Sequence, residues 1–304
     1  MPLAVSAETP ISMMLRDHLA WLENPATGTR ADLSGLTLNE AKLAQVNLRQ
    51  AIAVGTTLLD ATLTEINLSE AKLSGADLKR ANLAHADLNS ADLTEADFSG
   101  AWMPGANLSE IVANATTFRR VRMRGARLLE GRFQGCNFRE AILTEAAFHQ
   151  ARFYDVDFED AELSLANFYH ARMHHVKFNG IVAAEVNFTG AKIDNCRFTG
   201  AKLKNAKFNR CEILQPILRD AILTEADFRG ARIRGGDFGG ATLCGARFGG
   251  AQFVMVDFRG TNLKGAREMT GEQLLRSLTD SGTTLPNGKS GPYLRNSGAE
   301  KSLG

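Results

Sequence analysis

The sequence repeats with a period of five residues from position 31 to position 265, and the register never slips. The third residue of each pentapeptide, which we call its centre, is mostly Leu or Phe, and all 17 Phe of the chain lie at centres. The residue two places before the centre is usually Ala, and Gly is concentrated at the fifth place. This period is neither the 3.6 residues of a helix nor the 2 of a strand.

The spacing within one pentapeptide predicts its local shape. Two inward positions lie two residues apart, as in a short strand, and three residues then pass before the next inward position. A corner fits this gap, and Gly at the fifth place supplies the positive φ that a tight corner needs. Short sides joined by corners wind a coil, and stacked coils pair through backbone hydrogen bonds into a parallel β-solenoid.

The centres also indicate how many sides one coil has. Nine centres are neither Leu nor Phe, and the numbers of all nine end in 3. They are Ala53, Met103, Ala113, Met123, Met173, Ala183, Ile193, Ile213 and Ile233. Most Phe centres instead have numbers ending in 8. Alternate sides therefore differ in their core environment, so the number of sides is even, and four sides give a coil of four pentapeptides.

The pentapeptides ADLKR, ANLAH, ADLNS and ADLTE share the motif A-[D/N]-L-x-x, which resembles the pentapeptide-repeat family. The resemblance implies an all-β solenoid, a right-handed quadrilateral parallel β-helix whose interior is filled by Leu, Phe and small residues. With four pentapeptides in a coil, residues 31–266 would form about 12 coils.

Both ends of the repeat region carry segments that could cap an open solenoid. Residues 1–30 form an N-terminal segment in which 12–24 have apolar residues at helical spacing, with Ser12 as a candidate N-cap. Residues 267–304 begin with a candidate capping box, Thr270 and Gln273, ahead of a short C-terminal helix. The remainder is rich in Gly, Ser and Pro, which predicts a flexible, mostly disordered tail.

Two local departures from the repeat test the packing model. In residues 111–115 and again in 181–185, Ile takes the place of the small residue and Ala takes the centre, which roughly conserves core volume. Pro216 occupies a small inward place and lacks a backbone N–H, so we expect a local irregularity there.

The composition indicates the cellular compartment in which the protein works. No run of 18 apolar residues is present, and the first fifteen residues lack the pattern of a secretory signal. The four Cys show neither close pairing nor metal-ligand spacing, which indicates a reducing compartment and a cytoplasmic localisation. Three of them, Cys136, Cys196 and Cys211, take the small inward place, whereas Cys244 points outward.

One outward column of side chains is the best candidate site. Equivalent residues of successive coils should stack, so four cations fall into one column: Arg132, Arg152, Arg172 and Lys192. Tyr154 and His174 fall into the neighbouring outward column. This arrangement predicts an anion-accepting patch for an acidic protein, a nucleic acid or a phosphorylated ligand. The alternative is a solvated surface whose cations splay apart or pair with nearby acids, namely Asp155, Asp157 and Asp194.

Charge is unevenly distributed along the chain. Residues 1–110 have a net charge of −7 and residues 111–304 a net charge of +8, and the segment 119–139 holds seven Arg. Such a rod can be steered towards charged partners. The alternative is drift of surface charge on a tolerant scaffold.

Other functions find less support in the sequence. No phosphate loop, nucleophile elbow or paired metal-ligand motif is present, so we expect no enzyme, no cofactor and no metal. The four histidines His149, His170, His174 and His175 fall on two different sides, so we do not expect them to converge on a metal ion. Direct nucleic-acid binding is disfavoured because no recognised motif occurs and the aromatic residues lie in the core.

The function predicted first is a non-enzymatic protein–protein interaction scaffold. The family resemblance implies an alternative, a DNA-like acidic rod that binds DNA gyrase and dimerises through a C-terminal helical segment. Asp77 and Asp97 share one outward column of the acidic half, whereas the basic second half departs from that pattern. We expect a monomer if the C-terminal helix only caps, and a dimer if Leu274, Leu275 and Leu278 face outward.

Overall fold

A computed structural model describes residues 10–302 of the chain. Helix α1 (Pro10–Glu23) precedes the repeats. Eight strands follow: β1 (Val112–Asn114), β2 (Arg132–Gln134), β3 (Arg152–Tyr154), β4 (Arg172–His174), β5 (Lys192–Asp194), β6 (Glu212–Leu214), β7 (Arg232–Arg234) and β8 (Gln252–Val254). The chain continues through β9 (Val256–Asp257), helix α2 (Gly271–Leu275) and β10 (Ser277–Leu278). Within the described range, no helix is long and apolar enough to cross a membrane.

The strands stack with a step of four pentapeptides. Strands β1 to β8 form one parallel sheet in chain order, with Arg132 opposite Arg152 and Arg152 opposite Arg172. Isolated parallel bridges continue the same step on the other sides of the coil and towards both ends, from Asp32 to Arg267. The predicted parallel solenoid with four pentapeptides in each coil is confirmed, and eight of its coils carry a full strand.

The four faces are named here by their centres. The strand face has its centres at 33, 53 and every equivalent position to 253, and it contains β1 to β8. The second face follows it along the chain with centres from 38 to 258, the third face has centres from 43 to 263, and the fourth face has centres from 48 to 248. All centres on the four faces are buried.

Phe side chains form two ladders inside the solenoid, and the ladder on the second face is interrupted at Leu218. On the second face, Phe138, Phe158 and Phe178 stack nearly parallel, with ring centroids 4.7 and 5.2 Å apart. On the fourth face, Phe148 and Phe168 stack at 4.6 Å. The ladders meet edge to face, as between Phe158 and Phe168 at 6.1 Å. Both geometries are favourable for aromatic pairs, so the ladders fill the interior without leaving a channel.

The Asp or Asn of the repeat motif has a structural task. Its Oδ1 accepts a hydrogen bond from the backbone N–H two residues further on, as from Lys79 to Asp77 at 3.1 Å and from Ser109 to Asn107 at 3.2 Å. This Asx geometry stabilises the turn that follows each side. The motif A-[D/N]-L therefore encodes a buried small residue, a corner-holding side chain and a buried centre.

The two volume exchanges pack as predicted, but the irregularity expected at Pro216 is absent. Ile111 and Ala113 are fully buried, and so are Ile181 and Ala183. Pro216 lies at a corner of the strand face, where the small residue makes no hydrogen bond back to the preceding centre in the neighbouring coils. Its carbonyl still accepts the N–H of Asp237 at 2.9 Å. Proline therefore removes no donor that this corner uses.

A buried polar side chain closes each end of the rod. At the start, His18 of α1 accepts the N–H of Ala31 at Nδ1, and its Nε2 lies 3.1 Å from the carbonyl oxygen of Arg49. Burial lowers the pKa of His18, which favours the neutral ring. At the other end, Gln273 Nε2 donates to the carbonyls of Phe248 and Ala251 at 3.0 and 2.8 Å. Both side chains satisfy backbone groups that a further coil would otherwise pair.

The predicted capping box is present at α2, where Thr270 accepts from the N–H of Gln273 and the Gln273 side chain accepts from the N–H of Thr270. The prediction of a mostly disordered tail is wrong for residues 279–302. The Leu263 N–H donates to Thr284, and Leu285 is buried. The tail folds because its backbone pairs with the last coil. Residues 303 and 304 lie outside the described range.

Candidate functional site

The four predicted cations form one outward column on the strand face, which we call the basic column. Arg132, Arg152, Arg172 and Lys192 pair in strict register across strands β2 to β5, and all four side chains are exposed. Neighbouring strands of a sheet lie about 4.8 Å apart. Like charges are thus held side by side, an arrangement that destabilises a sheet in the absence of a counter-charge.

No carboxylate neutralises the three arginines of the basic column. Arg132, Arg152 and Arg172 each have no side-chain nitrogen within 4.0 Å of an Asp or Glu oxygen among residues 10–302. The column ends in a single ion pair, between Lys192 Nζ and Glu212 Oε2 at 3.0 Å. The guanidinium groups of Arg132, Arg152 and Arg172 therefore remain available to an anion from outside the chain.

The three acids named from the sequence as possible partners of the basic column are engaged elsewhere. Asp194 Oδ2 lies 2.7 Å from Nδ1 of His174, and Asp155 Oδ1 lies 3.3 Å from Nδ1 of His175. Asp157 lies on the second face, where its Oδ2 is 3.6 Å from Arg139 and 3.8 Å from Lys177. The pairing alternative considered from the sequence is not what the structure shows.

The basic column is a ridge between two grooves. One groove, of about 640 Å³, runs along the strand face between the basic column and a second wall. That wall is formed by Asn114, Gln134, Tyr154, His174 and Asp194. The other groove, of about 450 Å³, lies on the opposite side of the column, where Glu130, Gln150 and His170 occupy the preceding corner. Tyr154 and His174 of this wall were predicted as site residues, and the same step from coil to coil adds Asn114, Gln134 and Asp194 to the wall.

The rings of the second wall stack on one another. Tyr154 and His174 lie nearly parallel with centroids 5.2 Å apart, and the His174 and His175 rings approach to 3.9 Å. The hydrogen bond to Asp194 fixes the orientation of His174. The groove thus has cations along one side and an ordered aromatic surface along the other.

In the arginine-rich segment 119–139, four arginines other than Arg132 form ion pairs, unlike the arginines of the basic column. Arg119 and Arg120 both pair with Glu140, at 2.8 and 2.7 Å. Hydrogen bonds from Arg120 and then Arg119 lower the pKa of Glu140 to about 2. Arg124 pairs with Glu145 at 2.7 Å, and Arg139 pairs with Glu159. Much of this local charge is therefore neutralised by acids of the next coil, which are distant along the chain.

The other histidines of the described residues do not gather into a second site. His149 and His170 lie on the fourth face and contact Tyr169, away from His174 and His175. In the part of the chain that the structure describes, no three His, Cys, Asp or Glu side chains converge as a metal site.

The cysteines are free thiols, and three of them are buried. Burial raises the pKa of Cys136 to about 11 and that of both Cys196 and Cys211 to about 12. Cys136 and Cys211 instead donate hydrogen bonds to the carbonyls of Ala113 and Phe188, which fits compact core residues.

The family model for pentapeptide repeats matches the chain in eight copies, from residues 31–69 through 226–265. A second model, for a pentapeptide repeat region, matches residues 131–198. None of the curated proteins compared with the chain matches it.

Several solved structures are similar in fold. HetL, a pentapeptide repeat protein involved in heterocyst differentiation regulation from the cyanobacterium Nostoc sp. strain PCC 7120, is 24% identical, with a TM-score of 0.45 over 74% of this chain and 94% of that chain. Full-length QnrB1, a plasmid-mediated fluoroquinolone resistance protein, is 17% identical, with a TM-score of 0.34 over 64% and 92%. Rfr23 from the cyanobacterium Cyanothece 51142 is 20% identical, with a TM-score of 0.17 over 56% and 95%.

Proposed function

Because the chain belongs to the pentapeptide-repeat family, we propose that it is a rigid, non-enzymatic scaffold that binds an extended acidic segment of another protein along the strand face. The observation that carries this proposal is the stack of Arg132, Arg152 and Arg172. These three exposed cations are held in register and lack carboxylate partners within the described range, while Asp155 and Asp194 are paired with His175 and His174.

Electrostatics explains why such a column would bind. Repulsion among stacked cations raises the free energy of the unbound protein, and a bound polyanion relieves it. Arg suits carboxylates because its planar fork donates two parallel hydrogen bonds. Binding in this way is expected to weaken as salt concentration rises.

The groove fits an extended chain. From Asn114 to Asp194 it crosses five coils, a length of about 19 Å at ~4.8 Å for each step. An extended peptide rises ~3.3 Å for each residue, so about six residues fill it. The stacked rings of Tyr154 and His174 offer a surface for the apolar parts of such a segment.

The non-enzymatic part of the proposal has its own support. The interior is packed with Leu and Phe, and the grooves beside the basic column lie at the surface. Asp194 orients His174, yet no Ser, Thr or Cys within the described range hydrogen-bonds to that ring as a nucleophile would. We also propose a cytoplasmic location, which is supported by the buried free thiols.

The alternative of a DNA-like rod acting on DNA gyrase has less support. Lys79 Nζ lies between Asp77 and Asp97, at 3.1 and 3.3 Å, and partly neutralises that acidic column. Asp87 and Asp92 accept N–H groups of their own corners, so their carboxylates also serve the fold. A gyrase supercoiling assay with purified protein tests this alternative, and we expect no effect at micromolar protein.

The direct test of the proposal is binding of a fluorescein-labelled peptide of six glutamates, followed by anisotropy at low and moderate salt. The variant Arg152→Glu/Arg172→Glu should bind at least about tenfold more weakly than the wild type. The matched control is Arg197→Glu/Lys207→Glu, which makes the same charge change with two exposed cations on the second and fourth faces. Equal losses in the two variants, or no loss in the first, would reject the site.

A further inference from the structure

The third face carries an outward column that alternates between apolar and charged side chains. Parallel bridges place one of its residues in each coil. The central part of this column reads Ile142, Glu162, Val182, Lys202 and Ile222. We call these five residues the alternating column.

Most of the alternating column is exposed, and its two charged residues have no ion-pair partner in the described part of the chain. Val182 and Ile222 are 40% and 43% exposed, and Ile142 is half-buried. Glu162 and Lys202 are exposed, and neither has an ion-pair partner among residues 10–302. The two charges are separated by Val182, two coils or about 10 Å apart, so the chain itself does not pair them.

The alternating column is complementary to a second copy of itself that runs in the opposite direction. If a second copy packs antiparallel with the two-fold axis at Val182, each residue faces the one equally far away in the opposite direction. Val182 then contacts the partner's Val182, and Ile142 contacts the partner's Ile222. Glu162 meets the partner's Lys202, and symmetry forms this ion pair twice.

The surroundings allow two such faces to approach closely. The adjacent outward column on the third face carries small side chains at Thr144, Ser164, Ala184 and Thr224, with Lys204 as its one long side chain in these five coils. Leu165, at the following corner, is 51% exposed and adds apolar area. Glu185 would lie near its own copy at that corner, and Lys204, which has no ion-pair partner in the described part of the chain, lies one coil away to offset the repulsion.

We infer that the third face is a homodimer interface in which two copies pack antiparallel about Val182. Such a dimer leaves the strand face open to solvent and requires no ligand there. Five coils of one narrow face bury less than a standard interface of about 1,600 Å², so the association is expected to be weak and sensitive to salt.

Charge reversal tests the register of this dimer. Sedimentation equilibrium of the full chain, up to about 0.5 mM because small interfaces bind weakly, should show a monomer–dimer equilibrium for the wild type. Glu162→Lys places two cations opposite each other, and Lys202→Glu places two anions opposite each other. Each variant alone should dimerise at least about tenfold more weakly, because both symmetric pairs become repulsive.

Two rescues separate this interface from a general loss of affinity. Mixing the Glu162→Lys and Lys202→Glu proteins should give a heterodimer of about wild-type strength, since both of its pairs join opposite charges while the like-charged homodimers are disfavoured. The combined variant Glu162→Lys/Lys202→Glu should dimerise with itself, because opposite charges meet again at both pairs. Circular dichroism of each variant verifies folding, which exposed substitutions should leave intact.

The C-terminal helix offers a competing interface, because Leu275 and Leu278 are 44% and 53% exposed while Leu274 is buried. The variant Leu275→Ser/Leu278→Ser should dimerise like the wild type if the third face is the interface. A monomeric wild type at every concentration, single reversals without effect, failure of the combined variant to associate, or a monomeric Leu275→Ser/Leu278→Ser variant would each overturn the proposal.

Discussion

The strand face runs the whole length of the rod, yet its first coils differ from its later ones. Before residue 110 its corners close with a turn hydrogen bond, as from Ala76 N–H to the Leu73 carbonyl at 3.0 Å. From residue 111 onwards that bond is absent at this corner in the coils the structure describes, and each coil has a three-residue strand instead. The small residue at these later corners is never Ala: Thr116, Cys136, Val156, Val176, Cys196, Pro216, Gly236 and Val256.

The difference shows how the repeat builds a binding surface. Ala at the corner is compatible with a tight turn, as at Ala96, where the turn bond is 3.0 Å long, and on the third face the bond at Val186 is 3.4 Å long. β-Branched side chains favour extended backbone, and four of the eight residues at the opened corners are β-branched, namely Thr116, Val156, Val176 and Val256. The basic column lies only where the face has opened in this way.

The two regions also differ in their cores, and this difference gives the largest expected effect. Phe158 is fully buried between Phe138 and Phe178, whereas Leu88 is fully buried in the first region without a ring stack. Phe158→Ala should lower the free energy of unfolding by about 3–5 kcal/mol, and Leu88→Ala by a smaller amount within about 2–5 kcal/mol. Urea unfolding measures both, and a larger loss at Leu88 would contradict the idea that the ladders stabilise the second region.

Carboxylates introduced beside the basic column should pair with its arginines. Gln150 and His170 line the groove beside the column, at corners with positive φ where the repeat elsewhere places Glu. Gln150→Glu/His170→Glu should pair with Arg152 and Arg172 and weaken peptide binding about tenfold. Gln150→Asn/His170→Gln is the uncharged control, and an equal loss in that variant would mean that shape, not charge, was responsible.

A smaller effect is expected from closing the corners. Val156→Ala/Val176→Ala should favour the tight turn of the first region and shift the strands that carry Arg152 and Arg172. We expect a loss of peptide affinity of a few-fold, since the cations stay but their register loosens. Amide hydrogen exchange provides the second readout, because new protection at residues 156 and 176 would report the turn bonds. Unchanged exchange would contradict the role assigned to the corner residue.

The smallest expected effect comes from freeing paired arginines. Glu140→Gln removes the partner of Arg119 and Arg120 and should raise peptide affinity about twofold. Since the pKa of Glu140 is about 2 in the folded protein, below its usual 4.5, its contribution to stability is present above pH 4.5 and disappears as the pH falls towards 2. The melting temperatures of the wild type and Glu140→Gln should therefore converge over that range. A constant difference would contradict the ion pair.

The sequence predicts the fold almost completely because the repeat is local. Each pentapeptide encodes its own side and corner, and the step of four pentapeptides places Arg132 above Arg152 without further information. The two Ile/Ala exchanges were interpretable for the same reason, since each keeps its volume within one coil.

Other features depend on side-chain choices that the repeat does not encode. Asp194 could have paired with Lys192 in its own strand but instead bonds to His174 in the neighbouring coil. The effect of Pro216 depends on a turn bond that Cys196 and Gly236 at the equivalent corners also lack. The ordered tail depends on pairing with the last coil, which its composition does not reveal.

The measurement that tests the central claim most directly is an NMR titration of the arginine side-chain Nε–Hε signals with the six-glutamate peptide. The basic column should respond first, with saturable shifts at Arg132, Arg152 and Arg172, while Arg119 and Arg139 keep their positions because Glu140 and Glu159 already hold them. Shifts confined to Arg119 and Arg139, or equal shifts at all five arginines, would contradict the account.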